Sequence, residues 1–210
     1  MSLPSLANFD FENRAKADGF AVVAGVDEVG RGCLAGAVVA AAVVFESEDS
    51  IPDGVNDSKQ VAKQRRDELA ERIRETALSY AIAEVGPGEV DRINILEATK
   101  LAMITAVGQL DPAADFLLID AVRLTACPLP QESIIKGDAA SASIAAASII
   151  AKVHRDRVMC ELDSLYPQYG FARHVGYGTP EHLEALRLHG PCPIHRMTFR
   201  GVIQPELGFE

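Results

Sequence analysis

Asp27 and Glu28 stand side by side in AVVAGVDEVGRGCLAGAVVAAAVVF, residues 21–45, with apolar, Val-rich runs before and after them. Adjacent carboxylates within such a run are expensive to desolvate unless something offsets their charge, and a bound cation is the commonest such partner. Two more aspartates fall at informative places: Asp120 directly after the apolar FLLI run, and Asp138 in Lys136-Gly137-Asp138. Asp27 and Asp120 each end a predicted buried strand. If these strands are parallel neighbours, their backbones run about 5 Å apart, and both carboxylates emerge on the rim where open α/β sheets usually bind ligands. Carboxylates that close repel one another. A hard divalent cation such as Mg²⁺ or Mn²⁺ relieves the repulsion and keeps positions open for water and phosphate oxygens. Two such ions suit phosphoryl transfer, one activating a water and the other stabilising the leaving oxygen.

Each of these residues also has a purely structural reading. Asp120 could simply end a strand, and Asp138, before an Ala/Ser-rich helix, is a good N-cap. On a regular strand Asp27 and Glu28 point to opposite faces, so the strand is expected to break near Glu28, a break that Gly30 and Gly32 permit. Other chemistries lack their residues. No GK[ST] follows the glycines, no GxSxG elbow exists, and the Ser-rich GDAASASIAAAS segment lacks a His partner. His182, His189, Cys192 and His195 match no zinc-finger spacing, and Pro191 and Pro193 interrupt them.

The elements that must position the acidic residues follow from periodicity. The chain's 210 residues fit one α/β domain with a large core. Residues 21–26 and 37–45 are apolar on both faces, as central strands are, and form a broad hairpin with the acidic pair at its mouth. A short helix is expected within residues 1–20. A further helix is expected from an N-cap at Asp57 or Ser58 to about Thr76, an edge strand over 78–85, and one amphipathic helix over 89–110. A buried strand over 116–119 then makes a crossover that favours parallel pairing. A brief strand at 133–135, a long helix from Ala139 to about Leu165 and a capped helix over 180–189 complete the pattern.

Composition limits the function classes. A net charge of −10 argues against a non-specific nucleic-acid binder. Basic residues are nevertheless clustered, at Lys59 to Arg74 and at Arg123, Lys136, Lys152, Arg155 and Arg157, where solvated, locally paired helix faces are the plain reading. Four scattered cysteines without CxxC, and no signal-peptide pattern, point to reduced thiols and a cytoplasmic location. No apolar run approaches the ~20 residues that a membrane helix needs.

Seven motifs in order, VAGVDEVGRG (23–32), NDSK (56–59), RINILEAT (92–99), LLID (117–120), KGD (136–138), AASIIAKVHRD (146–156) and YGFARHVGYGT (169–179), resemble ribonuclease HII over nearly the whole chain. The resemblance implies an α/β, ribonuclease H-like mixed five-stranded sheet with flanking helices and a helical C-terminal extension from about residue 166. It implies that Asp27, Glu28, Asp120 and Asp138 are the catalytic, metal-binding residues of a site that takes two Mg²⁺ or Mn²⁺ ions. Gly30, Arg31 and Gly32 match the motif whose backbone reads the ribose 2′-hydroxyl, and Tyr177 the tyrosine that stacks on the sugar of the following nucleotide. Lys59, Lys136 and Arg155 become candidate phosphate contacts, with surface salt bridges as the alternative. The implied activity is hydrolysis on the 5′ side of a ribonucleotide in duplex DNA, leaving a 3′-hydroxyl and a 5′-phosphate, and cutting of RNA in RNA·DNA hybrids. A replication partner is possible. The sister family, ribonuclease HIII, has a GKG-type motif and an additional N-terminal domain, which Arg31 and the twenty preceding residues argue against. The chain departs from the family at Cys33 and Ala37, commonly proline, at Ala121, usually glycine, and at Val175, commonly lysine. A less selective two-metal nuclease or phosphatase, and a nucleic-acid-binding module with a vestigial site, are the rival readings.

Overall fold

The computed structural model describes residues 7–55 and 62–203. Five strands, β1 (Val23–Val29), β2 (Val38–Val44), β3 (Ser79–Val85), β4 (Phe116–Asp120) and β5 (Gln131–Ile134), form one sheet in the order β3-β2-β1-β4-β5. β1 pairs antiparallel with β2 and β2 with β3, whereas β4 runs parallel to both β1 and β5. The expected mixed sheet with a β1–β4 crossover is thus present. β2, with only Val and Ala, is buried along its whole length, and β3 alternates buried and exposed residues as an edge strand should.

The helices are α1 (Asp10–Ala17), α2 (Lys63–Thr76), α3 (Pro87–Ile93), α4 (Ile95–Gly108), α5 (Ala142–Leu165), α6 (Phe171–His174) and α7 (Pro180–His189). Alternation along the strands divides the core. Ala24, Val26, Ala40 and Ala42 cluster with Ala98, Ala102 and Met103 of α4, while Val39, Ala41 and Val43 cluster with Leu69 and Ile73 of α2 and the Ala-rich start of α5. Small residues let α5 lie almost against the sheet. At Gly25 of β1 a Cβ would come within 2.1 Å of the Ser143 carbonyl carbon, so no larger residue fits. This approach brings α5 over the C-terminal end of β1, where Asp27 lies.

Several expectations are corrected. The helix expected over 89–110 is two, because Asn94 adopts φ 68°, ψ 163° and its Oδ1 accepts from the Leu96 and Glu97 N–H groups, ending α3 and capping α4. Pro87, just past the edge strand, occupies the first turn of α3. α5 starts at Ala142 with Ser141 as its N-cap, and Asp138 belongs instead to a single 3₁₀ turn, Gly137–Ala139. The segment 166–179 contains α6, whereas α7 has the expected bounds, capped by Thr179 and ended at Gly190. The Asp57/Ser58 cap lies outside the described residues. Residues beyond α5 pack through their own cluster of Leu34, Met159, Tyr169, Phe171 and Leu186. Among the described residues no helix is long and apolar enough to cross a membrane.

Candidate active site

Asp27, Glu28, Asp120, Ser148, Lys152 and Tyr177 line a partly enclosed cavity of about 150 Å³. A larger, open groove of about 550 Å³ lies between α2 and α5, but its lining residues, such as Lys63, Glu71 and Asp156, belong to helix surfaces. The smaller cavity carries the chemistry. The parallel register sets Val26 beside Ile119, so Asp27 and Asp120 come next on neighbouring strands. The strand does not break at Glu28, contrary to expectation: β1 continues against β2 as far as Val29, past the last β4 pair. In this overhang, side chains from successive residues flank one opening, which is how Glu28 joins Asp27 without a break.

Electrostatics mark the site as strained for anions alone. Burial pushes the Asp27 carboxyl well above the usual range, Glu28 and Asp120 push it further, and a hydrogen bond from Ser148 works against them. The Glu28 carboxyl is also raised by burial, against the Arg31 guanidinium, whose Nη1 lies 3.1 Å from Glu28 Oε1. Glu28 Oε2 is buried and has no hydrogen-bond partner among the described residues. Asp120 Oδ1 accepts from the Gly137 N–H at 2.7 Å. The donors are hard oxygens gathered around one small cavity, one of them orphaned, and this fits a divalent cation. Among the described residues no three His, Cys, Asp or Glu side chains already close around a point as a finished metal cage.

The remaining predicted residues divide. Asp138 is buried in the turn that follows β5, next to the glycine held by Asp120, but does not line the cavity. Tyr177 does line it, with its side chain partly exposed. Lys136 is exposed, and Lys59 lies outside the described residues. Arg155 is corrected: it is 1 % exposed, and its Nε, Nη1 and Nη2 donate to the carbonyls of Ala37, Val175 and Ala35 at 3.0, 2.8 and 3.0 Å. A guanidinium with every nitrogen so committed is not presented to a phosphate. Ser148 and Lys152 were missed as site residues. Their i, i+4 spacing on a helix predicted to pack on the sheet is the signal that could have found them. Lys152 Nζ is held by Asp156 Oδ1 at 2.6 Å. Of the four His and Cys residues that match no zinc-finger spacing, three contact one another: His182 Nε2 lies 3.0 Å from His195 Nε2 and Cys192 Sγ 3.1 Å from His195 Nδ1.

The loop between β1 and β2, which carries Gly30, Arg31 and Gly32, is fastened from behind. Gly36 N–H donates to Ile194 O, Arg196 N–H to Leu34 O and Leu34 N–H to Gly176 O. Arg196 is fully buried, and its Nε and Nη1 donate to the carbonyls of Gly36 (3.0 Å) and Arg31 (2.9 Å). The loop, α6 and the 194–196 segment therefore form one hydrogen-bonded unit beside the carboxylates.

The family model described as Ribonuclease HII matches residues 24–202. The chain belongs to the ribonuclease HII family. It is 54 % identical over 189 residues to the ribonuclease HII of Ruminiclostridium cellulolyticum, covering 90 % of this chain and 74 % of that one. To that of Geobacter sulfurreducens it is 52 % identical, covering 95 % and 91 %. Among solved structures, ribonuclease H2 from Pyrococcus horikoshii superposes with a TM-score of 0.74 at 28 % identity, over 86 % of this chain and 95 % of that one. Ribonuclease HII from Archaeoglobus fulgidus, solved as a complex with PCNA, gives 0.71 at 29 %, over 88 % and 98 %. As a ribonuclease HII the chain is a ribonuclease H, an endonuclease, and the sheet described above has the ribonuclease H-like fold.

Proposed function

We propose that this ribonuclease HII hydrolyses the phosphodiester on the 5′ side of a ribonucleotide embedded in duplex DNA, leaving a 3′-hydroxyl and a 5′-phosphate, and also cuts RNA in RNA·DNA hybrids. The observation that carries the reading is the convergence of Asp27, Glu28 and Asp120 on one cavity beside the Gly30–Gly32 loop and Tyr177. Two Mg²⁺ or Mn²⁺ ions, when bound, supply an activated water and stabilisation of the leaving oxygen. Asp27, Glu28 and Asp120 would hold them, and Asp138, in the turn next to Gly137 and outside the cavity lining, would be the fourth acidic residue. Ser148 orients the Asp27 carboxylate through their hydrogen bond.

Substrate recognition falls to the neighbouring groups. The 2′-hydroxyl alone separates RNA from DNA locally, and backbone flanked by glycines comes closer to a sugar than a loop with side chains can. Gly32, exposed and with open space where a Cβ would project, gives that access, while the missing Cβ of buried Gly30 makes room for Arg155; Tyr177 stacks on the following sugar, and Lys136 meets a phosphate. The Arg31 side chain pairs with Glu28 through one nitrogen, Nη1. The setting is removal of ribonucleotides from DNA during repair and replication in the cytoplasm, with a replication partner of the kind seen in the Archaeoglobus fulgidus complex.

One assay tests the reading. With Mg²⁺ or Mn²⁺, a duplex containing a single ribonucleotide is expected to be nicked on its 5′ side while the all-DNA counterpart stays intact. Equal cutting of both, or of neither, would overturn it.

A further inference from the structure

We infer that Arg196 is a positioning residue for ribonucleotide recognition, holding the Arg31 carbonyl inward so that the N–H of the next residue, Gly32, faces the substrate. The inference rests on the reading of the Gly30–Gly32 loop as the reader of the 2′-hydroxyl. A trans peptide is planar, with its C=O and N–H pointing in opposite directions. Fixing one therefore aims the other. Arg196 Nη1 takes the Arg31 carbonyl at 2.9 Å, and Gly32 is exposed, with open space where a Cβ would project. The rest of the loop is fixed in the same sense. Arg196 Nε holds the Gly36 carbonyl, and Arg155 Nη2 and Nε hold those of Ala35 and Ala37, so two buried guanidinium groups collect the carbonyls on the protein side.

The arrangement is poor for stability alone. The Arg196 guanidinium is fully buried and, among the described residues, has no carboxylate in contact and no hydrogen-bond partner for Nη2; Asp91 acts on it only through its field, and the Phe199 ring lies 5.1 Å away. A buried charge with an unused donor is destabilising relative to an apolar side chain of the same volume. Its geometric product is the orientation of one peptide beside the acidic cavity. That peptide is 165 residues away in sequence, out of reach of any local turn.

The test uses the full chain with Arg196→Lys and Arg196→Gln. Three quantities are measured: kcat/KM on the single-ribonucleotide duplex, the inhibition constant of the all-DNA duplex as competitor, and the rise in melting temperature with Mn²⁺. Loss of a charge-assisted bond to the carbonyl predicts a fall in kcat/KM of roughly 10- to 100-fold. The all-DNA inhibition constant is expected to stay within about twofold and the Mn²⁺ response to be unchanged, since neither the general duplex surface nor the carboxylates are touched. If the wild-type enzyme itself does not distinguish the two duplexes, the reading of the loop fails and takes the inference with it. If the wild type distinguishes them and the variants retain its kcat/KM, the inference alone is overturned. A proportional loss of all-DNA affinity, or failure of even Arg196→Lys to unfold cooperatively, would make Arg196 a residue of the fold and overturn it as well.

Discussion

Ala121 carries the chain away from Asp120 at φ 49°, in the left-handed region. Its Cβ costs about 1–2 kcal/mol there, a strain that glycine does not have. The conformation is held because Ala121 N–H donates to Ile134 O at 3.0 Å, which turns the chain over β5 at the end of β4. Ala121→Gly is expected to raise stability by about 0.5–1 kcal/mol, the released strain less the added freedom of the unfolded chain, as a higher urea midpoint with an unchanged slope. A lower midpoint would show that the strain is not at Ala121. Val175 also lies in this region of φ, at 44°, and its carbonyl accepts from Arg155, which ties the residue to the geometry of the neighbouring loop.

At the scale of elements, the C-terminal helices are joined to the site by a chain of buried imidazoles. His182, in the first turn of α7, donates from Nδ1 to the Tyr177 carbonyl at 2.9 Å, and its Nε2 accepts from His195 Nε2; His195 Nδ1 in turn accepts from the Cys192 N–H at 2.9 Å. His174 of α6 stacks on His182, and Tyr169 and Phe171 close the cluster. This proton pattern requires neutral rings. Burial, followed by the neighbouring His182 and His174, pushes His195 down to about 4, and burial also lowers His182. A lowered histidine binds its proton more readily in the unfolded chain. Stability is therefore complete above about pH 6.5 and is lost as the pH falls towards 4, by on the order of 3 kcal/mol for His195. Urea midpoints measured from pH 7 to pH 4.5 are expected to fall steeply in the wild type and less in His195→Gln; parallel slopes would refute the assignment.

α7 was legible because its signals are local, with Thr179 as cap and Gly190 as stop. β1, β2 and the Ala-rich α5 were legible because total burial leaves long apolar runs. Asn94 was not, because its backbone conformation is imposed where α3 and α4 meet. Nor was the burial of Arg155, since the carbonyls that receive it lie up to 120 residues away and no pattern around Arg155 announces them. Asp27 and Asp120 could be paired from strand ends alone, but the overhang that admits Glu28 depends on where β4 stops relative to β2.

For the whole molecule, the net charge of −10 has a concentrated component and a diffuse one. Much of the diffuse part is paired along single helices, as in Arg65–Glu68, Arg74–Glu71 and Arg187–Glu184, which agrees with solvated helix faces. The concentrated part is the carboxylate set between β1 and β4, where a cation would join the two halves of the sheet. Mn²⁺ at about a hundred times its dissociation constant is expected to stabilise the fold by ~2.7 kcal/mol, raising the melting temperature by roughly 5–10 °C. Asp27→Asn is expected to lose this response and the nuclease activity while melting no lower than the metal-free wild type. A retained Mn²⁺ response would remove Asp27 from the ligand set. The register that builds the site also sets when it can exist as the chain leaves the ribosome. The β1–β2–β3 meander can form once residue 85 has been made, with Asp27 and Glu28 already in place, but β4 arrives only at residue 116 and the Arg196 strap 80 residues after that. A nascent chain therefore carries its acidic pair well before the segments that supply Asp120 and the buried Arg155 and Arg196, which fasten the loop beside it, have been made.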